Sequence, residues 1–502
     1  MFDNSHGQAG LEPDDLALET VCIKFSQGSG VGEVARKWQG IPGIERAKNG
    51  RLWAAWYTGG RTEDEFNYVV LVTSADDGMT WSDPILSIDP PGDVRASDPV
   101  LWHDPLGRLW LFWMQTAHCG ITFDGRGGVW AIVCGDSCSA DAEWSAPQRV
   151  ANGIMMNKPT VLSTGEWLLP CAIWSHKGPY RHSIPEEQFS NVICSTDHGA
   201  SFHLLGSADV PGRQCDEHMI VERGDGSLWM LVRRRDGIGE AISYDRGRTW
   251  KASTNIALPG PNSRFHIRRL RSGRLLLINH FGFSGRSHLT ALLSEDDGAT
   301  WPHHLLLDER ELVTYPDAVE DPDGTIFVIY DRQRVGEGEI LMQTFTEEDI
   351  LRNRTPGYRE REPRIVSEVP RVALGGRLVD FTDATWIDQL LGAARWEEFK
   401  AVVQAMEGEG ELAIPPVRFD GDTLHLYGVV EPGGCLCVEL EDSSGNPIPG
   451  YTRTDCERMF DSQTDWFVRW KSGQDLRPLV GRLVRIRFVL RECKLSGFRL
   501  IN

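Results

Sequence analysis

Side chains able to move protons or grip an anion crowd several short segments, each lying just ahead of an apolar run. DVRASDPVLW offers Arg95 and Asp98, GIMMNKPTVL offers Asn157 and Lys158, and NSRFHIRRL offers Arg264, His266 and Arg268. Arginine suits a carboxylate because its planar fork donates two parallel hydrogen bonds. An aspartate or a histidine at the same rim can pass protons, and His118 in QTAHCGITF is a lone candidate for that work. Further along stand Glu217 and Tyr315. A carboxylate that takes the phenol proton turns tyrosine into a nucleophile, whereas a tyrosine by itself is more often a buried ring satisfied by one neighbour. A surface ion pair is the plain alternative for any single member of the other segments.

These segments need a scaffold that makes them converge, and the chain repeats one. SADDGMTW (74–81), STDHGASF (195–202), SYDRGRTW (243–250) and SEDDGATW (294–301) share the pattern Ser-x-Asp-x-Gly-x-Thr/Ser-aromatic. The Asp accepts hydrogen bonds from turn amides, and Gly supplies the positive φ that other residues resist. The last three copies are separated by 48 and 51 residues, the length of a four-stranded propeller blade with its loops. The first gap of 121 residues holds a degenerate copy, CGDSCSADAEWSAP, with Trp144 at the aromatic position. Six Gly-led apolar strands (50–56, 107–113, 165–170, 226–232, 273–279 and 324–330) predict six blades, with seven also compatible, and these strands are expected to be the innermost.

Composition bounds the rest. At 502 residues the chain is long enough for two or three domains. Its net charge of −20 argues against nucleic acid or an anionic membrane as partner, although a locally basic pocket remains compatible with it. The 11 cysteines follow no disulfide framework and no zinc-ligand spacing, so reduced and mostly buried thiols are expected, with no metal and no cofactor. No secretory signal and no apolar run near the ~20 residues of a membrane span are visible, so a reducing cytoplasm is the expected home. The sequence is silent on oligomeric state.

The chain is therefore expected to be all-β. A polar N-terminal arm covers residues 1–19, a propeller covers 20–367, and a β-sandwich covers 368–502. Helical spacing in TWIDQLLGAARWEEFKAVVQAM predicts a short helical insert within 375–406. TLHLYGVV, CLCVELED, VRIRFVLR and SGFRLIN read as four strands, with EPGGC and NPIPG as turns.

The four turns and their flanks resemble the Asp-box (BNR-repeat) propellers of the sialidase, or neuraminidase, superfamily over residues 35–345. The resemblance implies a site in which three arginines clamp a carboxylate, a Tyr–Glu pair supplies the nucleophile and an Asp serves as acid/base. DEHMIVERGDGSLWMLVRR then assigns Glu217 and Arg233, GRSHLTALLSEDDGATW assigns Arg286, and ELVTYPDAVEDPDG assigns Tyr315 as nucleophile. Two positions depart from the pattern. Gly40 in WQGIPGIER stands where the first arginine belongs, and Tyr68 stands where the acid/base Asp belongs, with Asn67 beside it and Asp64 and Glu65 just upstream. Asp98 is the candidate replacement donor.

The leading expectation is an exo-glycoside hydrolase that removes a terminal acidic sugar. Its catalytic residues would be Tyr315, Glu217 and Asp98, and its substrate-binding residues Arg233, Arg286, Arg95, Asn157, Lys158, Arg264 and His266. A lyase or hydrolase acting on a rhamnose–uronate linkage is the runner-up, since elimination needs only an anion clamp and a Tyr or His base. A propeller that binds sugar without turning it over is the third reading.

Overall fold

The computed structural model describes residues 16–25, 38–60, 63, 66–92, 94–117, 125–174, 184–282, 285–334, 338–352, 363–369, 379–380, 409–414, 416–419, 421–459, 466–471 and 476–501. Two compact units divide the chain, Met1–Val369 and Pro370–Asn502. Both are β-structures. The helical insert expected within 375–406, His118, Asp64 and Glu65 lie outside the described residues.

Among the described residues of the first unit, six antiparallel sheets follow one another along the chain. Each is a meander, the first with Ile23–Phe25 added at its outer edge, and the strand at the inner edge of each sheet packs against that of the next. The strand Gln39–Arg46 lies against Val94–His103 on one side and against Val313–Glu320 of the last sheet on the other, so the ring closes. Successive sheets are cemented by apolar clusters drawn from both neighbours. One such cluster joins Trp110, Phe112 and Ala131 of the second sheet to Trp167 and Leu169 of the third. The end of the expected N-terminal arm packs on the second sheet, where Gln115 Nε2 donates to the carbonyls of Ala17 and Glu19 at 3.0 and 3.1 Å.

The Gly-led strands prove to be the second strand of each sheet, not the innermost. Leu52–Thr58 pairs back onto Gln39–Arg46, and Thr325–Arg332 pairs onto Val313–Glu320. The axis is lined instead by the preceding strands, which read poorly as strands because proline and bulges interrupt them.

The four octapeptide turns sit where the third strand of a sheet passes to the fourth. In the first, Ser74 Oγ donates to Asp76 Oδ1 at 2.8 Å and accepts from Gly78 N at 3.0 Å, while Thr80 Oγ1 donates to Asp76 Oδ2 at 2.6 Å. Those bonds favour the ionised form, and they hold the Asp76 carboxyl down at about 2, with Thr80 as the main cause. The degenerate copy occupies the equivalent junction, where Cys134 and Trp144 form a bridge.

The second unit is built on two 19-residue strands, Thr423–Glu441 and Leu483–Ile501, paired along their length. The four strands expected here are therefore two. EPGGC is a bulge between Val430 and Cys435 and not a turn, because paired glycines let the strand bend without leaving the ladder. NPIPG does turn the chain. Phe419, Leu436, Val438, Ile486, Phe488 and Phe498 are among the fully buried side chains of its own core.

Candidate active site

Three opening strands of the ring share one local device. Ile41, Asp98 and Tyr315 have φ of 58°, 52° and 55°, and each is followed by proline. At each the pairing with the second strand slips, between Gly40 and Gly43, between Ser97 and Val100, and between Thr314 and Asp317. Positive φ is strained for a β-branched or bulky residue and costs on the order of 1–3 kcal/mol at each position. What the strain accomplishes is to re-aim a side chain that strict alternation would send into the sheet. All three side chains line one cleft of about 670 Å³, together with Arg95, Glu217, Arg233 and Arg286.

At the centre of that cleft Tyr315 Oη donates to Glu217 Oε1 at 2.9 Å. Arg233 Nη1 donates to the same carboxylate oxygen at 2.5 Å and to Tyr315 Oη at 3.1 Å. Arg233 is aimed by Asn262, whose Oδ1 accepts from Nε at 2.6 Å and whose backbone carbonyl accepts from Arg286 Nη2 at 2.8 Å. Burial pushes the Tyr315 phenol up to about 12, and the Glu217 charge adds to the rise while Arg233, Arg334 and Arg286 oppose it. The phenol thus stays protonated at neutral pH, beside a carboxylate placed to receive its proton.

Asp98 is the other perturbed acid. Burial raises its carboxyl from 3.8 to about 7, Glu63 and Glu217 push in the same direction, and Arg95 and the Ser97 hydroxyl hold it back. It is 3% exposed, and its hydrogen bond from Ser97 Oγ measures 2.9 Å. Among the described residues, two charged groups at this cleft have polar atoms with no hydrogen-bond partner: Glu217 Oε2, and Nε and Nη1 of Arg95, which is 6% exposed. A buried polar group left unmet is costly, so both are open to a ligand's hydroxyls or carboxylate.

Four expected rim residues do not line the cleft. Asn157 Nδ2 donates to the carbonyls of Glu217 and His218, both at 3.1 Å, and so fixes the backbone that carries Glu217. Arg264 lies beneath the floor. It donates to the carbonyls of Met156, Pro42, Tyr315 and Pro316 at 2.8, 3.1, 2.9 and 3.1 Å, tying separate strands together under the Tyr315 ring. Lys158 lies 2.6 Å from Glu45 Oε1 and 3.3 Å from Asp317 Oδ2, and His266 Nδ1 lies 3.2 Å from Asp317 Oδ1. Burial alone would raise both carboxyls, yet Lys158 and the neighbouring histidines hold Glu45 at about 2 and Asp317 lower still. Lys158 and His266 line a separate cavity of about 360 Å³. Proximity to the rim was a sound guide to the strand, but the residue's place in the pleat decides which way it faces.

The cleft also holds residues the sequence reading passed over. Trp38, Tyr57 and Trp174 supply aromatic walls, and Glu63, Cys215 and Arg334 polar ones. The Arg334 guanidinium sits 4.7 Å from the centroid of the Tyr315 ring. A usable signal was the recurring Xaa-Pro dipeptide (Ile41-Pro42, Asp98-Pro99, Tyr315-Pro316) at the head of an apolar strand. No comparable signal marks Arg334.

Ring, bulged opening strands and cleft together define a propeller of the sialidase/BNR class. Residues 45–328 match the BNR repeat-like domain, and the chain belongs to that family. A sialidase of Micromonospora viridifaciens is 29% identical over 152 residues, covering 28% of this chain and 23% of that protein's length. Among solved structures, a Hadza microbial sialidase is 18% identical with a TM-score of 0.48, covering 62% of this chain and 66% of that one. A Trypanosoma rangeli sialidase in complex with sialic acid is 11% identical with a TM-score of 0.48, over 97% of this chain and 95% of that one.

Proposed function

We propose that the protein is a sialidase-like exo-glycoside hydrolase that releases a terminal sugar bearing a carboxylate. The observation carrying this reading is the hydrogen-bonded set of Tyr315, Glu217 and Arg233 in a single cleft.

In the first step Tyr315 Oη attacks the anomeric carbon while Glu217 Oε1 accepts the phenol proton. Asp98 gives its proton to the departing glycosidic oxygen, and the sugar remains bound through an aryl ether-type linkage to Tyr315. In the second step Asp98 takes a proton from water, whose oxygen attacks the same carbon. The Tyr315 oxygen then leaves and recovers its proton from Glu217. Two inversions give net retention. A phenol suits a substrate that carries its own negative charge, since an anionic carboxylate nucleophile would be repelled. Arg233 and Arg286 hold the acid group, and Arg95 offers unmet donors to another oxygen of the sugar.

Purified protein assayed on sialosides, uronosides and rhamnosides should release reducing sugar from an acidic class only. Tyr315→Phe should reduce kcat by at least about a thousandfold, since it removes the nucleophile of a covalent route. Release from neutral sugars alone, or a Phe variant of near-normal rate, would overturn the proposal.

A further inference from the structure

Gly40 occupies a position where any side chain would displace Arg334. A Cβ there would lie 2.2 Å from Arg334 Cδ, 2.6 Å from Arg334 Cγ and 3.0 Å from Asp331 Oδ2. The space is filled by an arginine that follows the second strand of the last sheet, Thr325–Arg332, across the closure of the ring. Asp331 fixes the arrangement from below. Its Oδ2 accepts from Ile41 N at 2.7 Å, its Oδ1 accepts from the Thr314 hydroxyl, and Arg334 Nε lies 3.7 Å from Oδ2. One buried carboxylate therefore holds the bulge bearing Ile41, the residue before Tyr315 and the root of Arg334.

The guanidinium itself is turned into the cleft. It stands 4.7 Å from the Tyr315 ring centroid and 5.9 Å from that of Trp38, while Arg286 stands 5.6 Å from the Tyr315 ring. Its other ion-pair partner is Glu63, at 2.7 Å from Nη1, whose side chain is 47% exposed. An exposed carboxylate forms a weak pair that an incoming anion can displace. Asp331 is already committed to the backbone at Ile41 and to Thr314.

We infer that Gly40 and Arg334 are a matched pair: the side chain missing at 40 seats Arg334 from the far side of the ring closure, and Arg334 contacts the substrate's acid group beside Arg233 and Arg286. This rests on the reading of an acidic sugar as substrate. The grip on the anion is then three-armed, and Gly40 sets its strength without touching substrate.

The test is binding, read apart from turnover. Calorimetry compares N-acetylneuraminate and glucuronate with their carboxamides, on wild type, Arg334→Ala, Gly40→Ala, the double variant and the exchange Gly40→Arg/Arg334→Gly. Thermal melting follows the fold of each. Wild type should prefer acid over amide, and Arg334→Ala should shrink that preference by about tenfold or more, as for a lost hydrogen bond to a charged group. Gly40 is not among the glycines with positive φ, so Gly40→Ala acts through Arg334 and should cost as much. The double variant should cost no more than either single change, and the exchange should restore the preference. An acid preference unchanged in Arg334→Ala, full additivity of the two single changes, or a wild type without acid preference would each overturn the inference. A wild type that prefers acid through Arg334 yet cleaves no acidic glycoside would sink the hydrolase reading and leave this inference standing.

Discussion

Replacing Asp98 with Asn separates the stability of the cleft from its chemistry. The carboxyl titrates at about 7 in the folded protein against 3.8 for the free group, with burial as the leading cause. The folded state thus holds a proton that the unfolded chain releases between those two values. In that window stability falls as pH rises, and the loss is complete above the folded pKa. At about 1.4 kcal/mol per pH unit the charge on Asp98 costs on the order of 4 kcal/mol at pH 8, an upper bound because the surroundings relax. Asn carries no charge and removes that cost. Asp98→Asn should therefore match wild type in thermal melting at pH 4 and melt several degrees higher at pH 8. Its catalysis should fail in the opposite sense. Turnover of a glycoside with an alkoxide leaving group should drop by about 10²–10⁴-fold, the worth of a positioned proton donor. An activated aryl glycoside, whose leaving group needs no proton, should lose far less in its first step. In wild type the rate on the unactivated substrate should decline as pH rises through about 7. Equal losses on both substrates, or no gain in melting temperature at pH 8, would refute the assignment of Asp98 as a strained, neutral acid.

Two structural predictions follow from the same physics. Lys158→Met leaves Glu45 and Asp317 buried without their shared ammonium, 2.6 and 3.3 Å away in wild type, and should destabilise the protein by about 3–5 kcal/mol in denaturant titration. The acid-sugar preference of what remains folded should be unchanged, since Lys158 does not line the cleft. Gly298→Ala places a Cβ 2.4 Å from Trp229 Cζ3 at a φ of 88°, so it should cost more than the roughly 1–2 kcal/mol of left-handed backbone strain alone, whereas Gly165→Ala, with φ of 98° and nothing within 4 Å, should cost only that backbone strain.

How far the sequence could be read tracks how local each feature is. The octapeptide turns were legible because every bond they need lies within eight residues: Ser74, Asp76, Gly78 and Thr80 satisfy one another. The Gly-led strands were legible as strands because each is a short apolar run opened by a turn glycine. Their place in the sheet was misread, because the innermost strands at Ile41-Pro42, Asp98-Pro99 and Tyr315-Pro316 are kinked at the positions that reach the cleft. Glu217, Arg233, Arg286 and Tyr315 were found through resemblance, and the structure brings them together in one cleft. Asn157, Lys158, Arg264 and His266 were chosen by nearness to those strands, and backbone carbonyls and buried carboxylates claim them instead. Arg334 was invisible for a different reason. It meets Gly40 across 294 residues of sequence, and only the closing of the ring makes an absent side chain at one position matter to the other.

The most direct measurement is the mass of the protein after reaction with a fluorinated acidic glycoside that carries an activated leaving group, a design that slows breakdown of a covalent intermediate. A single added sugar, mapped by peptide sequencing to Tyr315 and missing from Tyr315→Phe, is the predicted result. A sugar attached to a carboxylate instead, or rapid release of the leaving group with no adduct at any time, would contradict the account at its centre.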